Sequence, residues 1–390
     1  MKINAYKRPD GTYGIRNKLL VLSTVGCANE TARLIAQRVH GAVFAANAKG
    51  CGQIGTGVEL MKRSLIGLAL NPNVFGTLIV GLGCETMRPV SLCTEIKGLT
   101  SKPVHVITIQ GEGGTLKAVE KGARIIREMA EVMSKQTRVE TDLSSLILAT
   151  NCGGSDATSG LSANPALGKC SDRLIEAGGT VILGETTELI GTEHLLVKRA
   201  RNDHVKRDIL TIVNGLESNF SQLGIDVRGA NPTPGNMKGG LSTLEEKALG
   251  GISKGGSTMI NEVVRYGEQP KQRGLVIMDT PGYDIESITG MTAGGAQICI
   301  FTTGRGTPIG NPIMPVIKVT GNKTTFERMK DNIDFDCSEI VSGEASIDVC
   351  GDRLFDVLIS VCEGQQTKAE AYGFGELSVY HNDEVWCNCL

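Results

Sequence analysis

Residues 151–172 read NCGGSDATSGLSANPALGKCSD, directly after the apolar run Leu146-Ile147-Leu148-Ala149-Thr150. The run predicts a buried strand. A strand that opens at its carboxyl end into a Gly-rich polar loop is where open α/β sheets bind their ligands. The segment is several times longer than an ordinary connection, and apart from Asp156, Lys169 and Asp172 its polar residues are small and neutral. An Ω-loop packed on itself is the structural alternative. The functional reading is a loop folded around a small polar ligand, with Ser155, Asp156 and Asn164 as binding side chains and Cys152 at its head.

Working outward, strand-like runs occur at residues 18–24, 43–46, 78–82 and 104–109, with helical patterns at 29–38, 58–70 and 116–135. Beyond the quoted stretch the pattern restarts at 181–184, 275–279, 297–301 and 316–319. Alternating strands and helices imply parallel sheets. The expected fold is α/β, two domains each with a mainly parallel, Rossmann-like doubly wound sheet. The polar run SKQTRVETD at 134–142 marks the boundary, giving domains 1–138 and 139–390.

A net charge of −2 gives no field for nucleic acid, and with one Trp, six Tyr and eight Phe a stacking platform is not expected. No apolar run reaches the ~18 residues of a membrane span, and the amino terminus lacks a signal core. A soluble cytoplasmic protein is expected. No glycine triplet opens a helix after a strand, so dinucleotide binding is unsupported. The 50 glycines, spread along the chain, point to tight strand-to-loop turns. Twelve cysteines without a secretion signal argue for thiol or metal chemistry rather than a disulfide framework.

Cys27, Cys51, Cys84 and Cys152 each follow a glycine or asparagine at the end of a predicted strand. In one parallel sheet such ends share an edge, so the four thiols are a candidate iron site, either Fe(II) or an iron–sulfur cluster. The remaining cysteines read as core, apart from the terminal pair Cys387 and Cys389, a tail or a metal clip. The run 184–194, GETTELIGTEH, places Glu185, Glu188, Glu193 and His194 within ten residues after a strand. Glu185 and Glu188 are candidate metal ligands or a general base, and His194 is the one histidine in such company. Ser242 with Glu245 three residues later predicts a capping box and a helix start, after the Pro/Gly loop at 231–240 that carries Asn236. Arg305 stands between glycines after a strand, where a guanidinium can clamp a carboxylate or sulfonate.

These residues resemble the altronate and galactarate dehydratase family, which includes the large subunit of sulfolactate sulfo-lyase. The matching motifs are Gly14-Ile15-Arg16-Asn17, Thr24-Val25-Gly26-Cys27, Gly81-Leu82-Gly83-Cys84-Glu85, Cys152-Gly153-Gly154-Ser155-Asp156, Ala163-Asn164-Pro165 and Glu185-Thr186-Thr187-Glu188. They continue with Pro234-Gly235-Asn236, Thr243-Leu244-Glu245-Glu246-Lys247, Thr303-Gly304-Arg305-Gly306-Thr307-Pro308 and Ile333-Asp334-Phe335-Asp336, so the resemblance covers nearly the whole chain. It implies an iron-dependent lyase of 2-hydroxy acids. A base removes the proton beside the carboxylate, a group leaves the next carbon, and the enol becomes a 2-keto acid. The base would be Lys247, Glu188 or His194, iron would sit at the cysteines with Glu185 or Glu188 nearby, and Arg305 with the Asn236 loop would take the carboxylate.

The chain departs from the family twice. It starts at the family's second domain, which implies the large subunit of a split enzyme with a separate small subunit; a homo-oligomer is also expected. The histidine that sugar-acid members carry four residues before Cys51 is here Asn47. Retention of Cys27, Cys51 and Cys84 favours a sugar-acid (altronate-like) hydro-lyase. A sulfolactate sulfo-lyase, with Lys49 near the sulfonate, is the second reading, and a non-catalytic or sensing homologue the third.

Overall fold

The computed structural model describes residues 1–53, 55–222 and 224–381, so Cys387 and Cys389 lie outside the described residues. In chain order the strands are β1 (Lys2–Lys7), β2 (Tyr13–Gly14), β3 (Lys18–Ser23), β4 (Ala42–Ala45), β5 (Val74–Gly81), β6 (Val104–Thr108) and β7 (Val139–Asp142). They continue with β8 (Ile147–Cys152), β9 (Thr180–Leu183), β10 (Ile260–Val264), β11 (Gly274–Met278), β12 (Ile298–Thr302), β13 (Val316–Thr320) and β14 (Phe335–Asp336).

Four of these form a parallel sheet in the order β4-β3-β5-β6. Its strands are apolar on both faces because helices cover both. Leu19 and Val21 of β3 pack with Ile35 and Ile126 from helices Asn29–Ala36 and Thr115–Met133. Leu20 and Leu22 point the other way, toward Leu65 and Leu92 of helices Thr56–Leu70 and Pro89–Leu99.

The second sheet is parallel throughout, ordered β10-β11-β9-β8-β12-β13-β14. Leu148 of β8 joins a core with Leu167, Leu174, Leu354 and Leu358 from helices Asn164–Glu176 and Ile347–Cys362. Ala149 faces the opposite core, with Ile288 and Met291 of helix Asp284–Ala293. The connection after β8 leads to β9 on one side, while β12 lies on the other. The strand order therefore reverses at β8, which opens a crevice beyond its carboxyl end. Both halves of the expected α/β architecture are present, and no helix is long and apolar enough to cross a membrane.

The sequence boundary at 138/139 falls at the start of β7, which pairs antiparallel with β1. The polar run thus ends in a strand at the junction of the two halves. The quoted stretch also differs from an open loop: after residues 153–156 the chain is helical, through a wide turn Ser159–Ala163 into Asn164–Glu176. Asp156 starts it by accepting hydrogen bonds from the backbone N–H of Thr158 (2.9 Å) and Ser159 (3.1 Å). Helix Leu244–Ile252 begins one residue later than the predicted box: Thr243 is its cap and accepts from the Glu246 N–H at 3.1 Å.

Candidate active site

The crevice at β8 is filled by charge. Cys152 ends β8, and β9 runs through Gly184 to Glu185, the one non-glycine residue with positive φ (66°) among those described. Such a conformation costs of order 1 kcal/mol or more and persists where its surroundings enforce it. Here the Glu185 N–H donates to Thr280 Oγ1 at 2.7 Å and the Thr186 N–H to the Thr280 carbonyl at 2.9 Å. The turn aims the Glu185 carboxylate back at β8, where Oε2 accepts the Cys152 N–H at 2.8 Å. One short turn later, Glu188 Oε2 accepts from Cys152 Sγ at 2.8 Å.

Two lysines seven residues apart, two helical turns along one face, come from helix Leu244–Ile252 and the turn Ser253–Gly255 that extends it. Lys254 Nζ lies 2.7 Å from Cys152 Sγ, 2.5 Å from Glu185 Oε2 and 3.5 Å from Glu188 Oε2, with its side chain 1% exposed. Lys247 Nζ lies 3.0 Å from Glu188 Oε1 and 3.1 Å from Asn231 Oδ1. Burial disfavours the Lys254 ammonium, but Cys152, Glu185 and Glu188 outweigh it and hold its pKa well above that of free lysine. Burial likewise opposes ionisation of Glu188, yet Lys247 and Lys254 bring its pKa below the usual value. Burial, reinforced by both carboxylates, keeps Cys152 a thiol. Asp284 borders the cluster through Asn151 Nδ2 (3.2 Å), and burial plus the Glu188 charge push its pKa up to about 7.

A cavity of about 300 Å³ opens onto this cluster, with Cys152 and Lys247 on its wall beside Ser155, Asp156, Asn164 and Glu246. Three of these side chains form a candidate metal-binding group. Cys152, Glu185 and Glu188 bring one ligand atom each within 4.8 Å of one another. Glu185 Oε1 and Asn151 Oδ1 are buried acceptors that no protein donor satisfies, a surplus that invites a cation. One sulfur with several oxygens is a donor set that first-row metals accept.

Of the residues proposed from sequence, Cys152, Glu185, Glu188 and Lys247 meet here. Ser155, Asp156 and Asn164 line the cavity, although the polar atoms of Asp156 and Asn164 are largely engaged. Asp156 accepts from Thr158, Ser159 and Asn322, and Asn164 bonds the Gly250 carbonyl (3.0 Å) and Thr302 Oγ1 (2.5 Å). Buried Asn236 donates to the Ser155 carbonyl at 3.0 Å and accepts from Lys247 at 3.5 Å, fastening the loop to the lysine.

Arg305 is exposed and lies beyond Asp156 in a separate groove with Lys238 and Arg328, its guanidinium bonded to the Gly235 carbonyl at 2.9 Å. His194 is exposed on the short helix Glu193–Leu196 and does not line the cavity, because the chain turns away after Glu188. The four thiols do not share one edge. Cys27, Cys51 and Cys84 lie exposed on the first sheet, whereas Cys152 is buried in the second. Asn47 is fully buried and donates to the Thr24 carbonyl at 2.8 Å, and Lys49 is half-buried on the same loop.

Sequence reading missed Lys254, Asn151 and Asp284. The seven-residue step from Lys247 was a signal for Lys254, whereas Asp284 reaches the site from a helix more than a hundred residues away.

Residues 143–385 match the family described as D-galactarate/Altronate dehydratase, C-terminal, and residues 5–134 match D-galactarate dehydratase/Altronate hydrolase, second domain. The chain is 32% identical to an altronate dehydratase of Escherichia coli, covering 97% of this chain and 77% of that one. A Bacillus subtilis altronate dehydratase is 33% identical, over 96% and 76%. The (2R)-sulfolactate sulfo-lyase subunit beta of Chromohalobacter salexigens is 36% identical, over 95% of both chains. Two family matches in register with the two sheets, and relatives that are lyases across nearly the full chain, place this protein in the galactarate/altronate dehydratase family of lyases.

Proposed function

We propose that this chain is an iron-dependent hydro-lyase that converts an altronate-like sugar acid to a 2-keto-3-deoxy acid at the Cys152–Glu188–Lys247 cavity. The observation that carries the reading is the convergence of Cys152, Glu185 and Glu188 at the mouth of β8, with Lys247 facing a cavity of small-molecule size. The substrate carboxylate enters beside Lys247, whose ammonium steadies the negative charge that develops when the neighbouring carbon loses its proton. Glu188 is the ionised carboxylate next to it and accepts that proton. Cys152, hydrogen-bonded to Glu188, and Lys254 beneath it keep the carboxylate oriented and dry. Cys152 and Glu185 would hold the iron, which would supply Lewis acidity toward the substrate's oxygen atoms and leave Glu188 as the base. The proton that Glu188 has taken passes to the hydroxyl group on the next carbon, which leaves as water, and the enol rearranges to the keto acid.

One relative is named as a subunit, the sulfo-lyase subunit beta. That name supports an assembly in which a separate small subunit accompanies this chain. It also favours sulfolactate as the second substrate reading, with sulfite as leaving group. The test is a panel of altronate, galactarate and sulfolactate, given to the full chain with ferrous iron, alone and with its small subunit. Keto acid without sulfite from a sugar acid supports the proposal, sulfite from sulfolactate transfers it to the second reading, and no product from any of them leaves the non-catalytic one.

A further inference from the structure

Ten cysteines are described, and seven are buried, where thiols other than Cys152 serve as small hydrophobes. Cys27, Cys51 and Cys84 are the exposed ones. They follow β3, β4 and β5, which are adjacent in the first sheet, with β4 on one side of β3 and β5 on the other. The three thiols therefore flank the reversal point of that sheet, the position at which an open α/β sheet takes a ligand. We propose that Cys27, Cys51 and Cys84 hold an iron–sulfur cluster through three thiolates, separate from the Cys152 centre, with one iron left for an outside ligand.

The loops are built to hold these thiols in place. The Gly26 N–H donates to the Lys49 carbonyl at 3.0 Å, joining the Cys27 and Cys51 loops, and the Met87 N–H reaches the Gly50 carbonyl at 3.4 Å. Buried Glu85 turns inward and accepts from the N–H of Leu82 (3.0 Å) and Gly83 (2.6 Å) and from Thr24 Oγ1 (2.8 Å), so it locks the Cys84 loop to the Cys27 loop.

Two of the preceding glycines are sterically required. Gly50 has φ of 104° and a Cβ there would sit 2.0 Å from the Thr24 carbonyl oxygen; Gly83 has φ of 125° and a Cβ would sit 2.7 Å from Gln110 Oε1. The Gln110 amide also donates to Cys84 Sγ at 3.6 Å, the kind of outer-sphere bond that orients and tunes a thiolate ligand.

A cluster suits these thiols better than a single ion. The three sulfurs do not all lie within 4.8 Å of one another, as one tetrahedral ion with metal–sulfur bonds of about 2.3 Å would demand. A cluster places each thiolate on a different iron and spans the wider triangle. Sequence separations of 24 and 33 residues hide this arrangement from motif reading, because strands rather than a local run bring the three loops together.

The inference does not depend on the substrate. The full chain, purified without oxygen and reconstituted with ferrous iron and sulfide, is assayed for iron, acid-labile sulfide and visible absorption. Thiol alkylation is mapped by mass spectrometry before and after chelation. Wild type and Cys152→Ser should both carry acid-labile sulfide, with iron matching sulfide in Cys152→Ser and exceeding it in wild type. Cys27→Ser, Cys51→Ser and Cys84→Ser should each lose most of the sulfide while keeping the wild-type circular dichroism. The three thiols should resist alkylation until chelation. Iron without sulfide, sulfide undiminished in the triple Ser variant, or equal alkylation in both states would overturn the proposal.

Discussion

Glu188 sits between two ammonium groups, and that placement fixes what single substitutions do. Lys254→Met removes the buried cation that bonds Glu185, Glu188 and the Cys152 sulfur, leaving the buried carboxylates with Lys247 alone. Breaking a buried ion pair from one side costs about 3–5 kcal/mol, so chemical denaturation should show a loss of that order. Lys247→Ala should behave differently. Its ammonium lines the cavity, so turnover should fall by roughly a hundredfold or more while the denaturation midpoint moves much less.

Asp284 gives a pH signature. Its carboxyl ionises near 3.8 when unfolded and about 7 when folded, because burial and the Glu188 charge oppose its ionisation. The folded state thus holds the proton more tightly between those values, and stability declines as pH rises from 4 toward 7. Asp284→Asn should flatten that decline. An unchanged slope in the variant would show that the carboxyl does not titrate this way.

At the level of elements, the strand pattern was legible because it rests on local apolar runs. β3, β5, β8, β9, β11, β12 and β13 fall within a few residues of their expected positions. β10 and β14 were not legible: Ile260–Val264 carries Asn and Glu at its centre, and Phe335–Asp336 is two residues long. The helix of residues 164–176 was hidden because its start depends on Asp156, a polar residue that reads equally as a ligand.

The site was half legible for the same reason. Glu185, Glu188 and Cys152 announce themselves at strand ends, while the exposure of His194 depends on how the chain leaves the crevice after Glu188. The cap of helix Leu244–Ile252 offers a direct check. Thr243→Ala removes the side-chain acceptor for the Glu246 N–H, and should cost about 1 kcal/mol by denaturation. It should also lower turnover, since Lys247 lies on the first turns of that helix.

Across the whole molecule, buried polar groups help tie the two sheets together, beside apolar contacts such as Ala293 and Ile313 with the core of the first sheet. Arg16 bonds Glu370 at 2.8 Å and the carbonyls of Val361 (2.9 Å) and Gln365 (2.8 Å). Asn73 donates to the Gln297 and Ile313 carbonyls, and Asn71 to those of Thr292 and Ala296. Burial opposes ionisation of Glu370, but the Arg16 guanidinium more than compensates and holds its pKa below the usual range. The stability it contributes is present above the unfolded carboxylate pKa and is lost as pH falls through the lowered folded value. Arg16→Met should cost about 3–5 kcal/mol, and abolish that acid dependence, measured by thermal melts across pH.

The most direct measurement is formation of 2-keto acid from altronate by wild type, Glu188→Gln and Cys152→Ser, with ferrous iron and, where required, the small subunit. Keto acid from wild type with at least a hundredfold loss in both variants, each retaining the native circular dichroism, is the expected result. Wild-type turnover in both would place the chemistry away from this cluster.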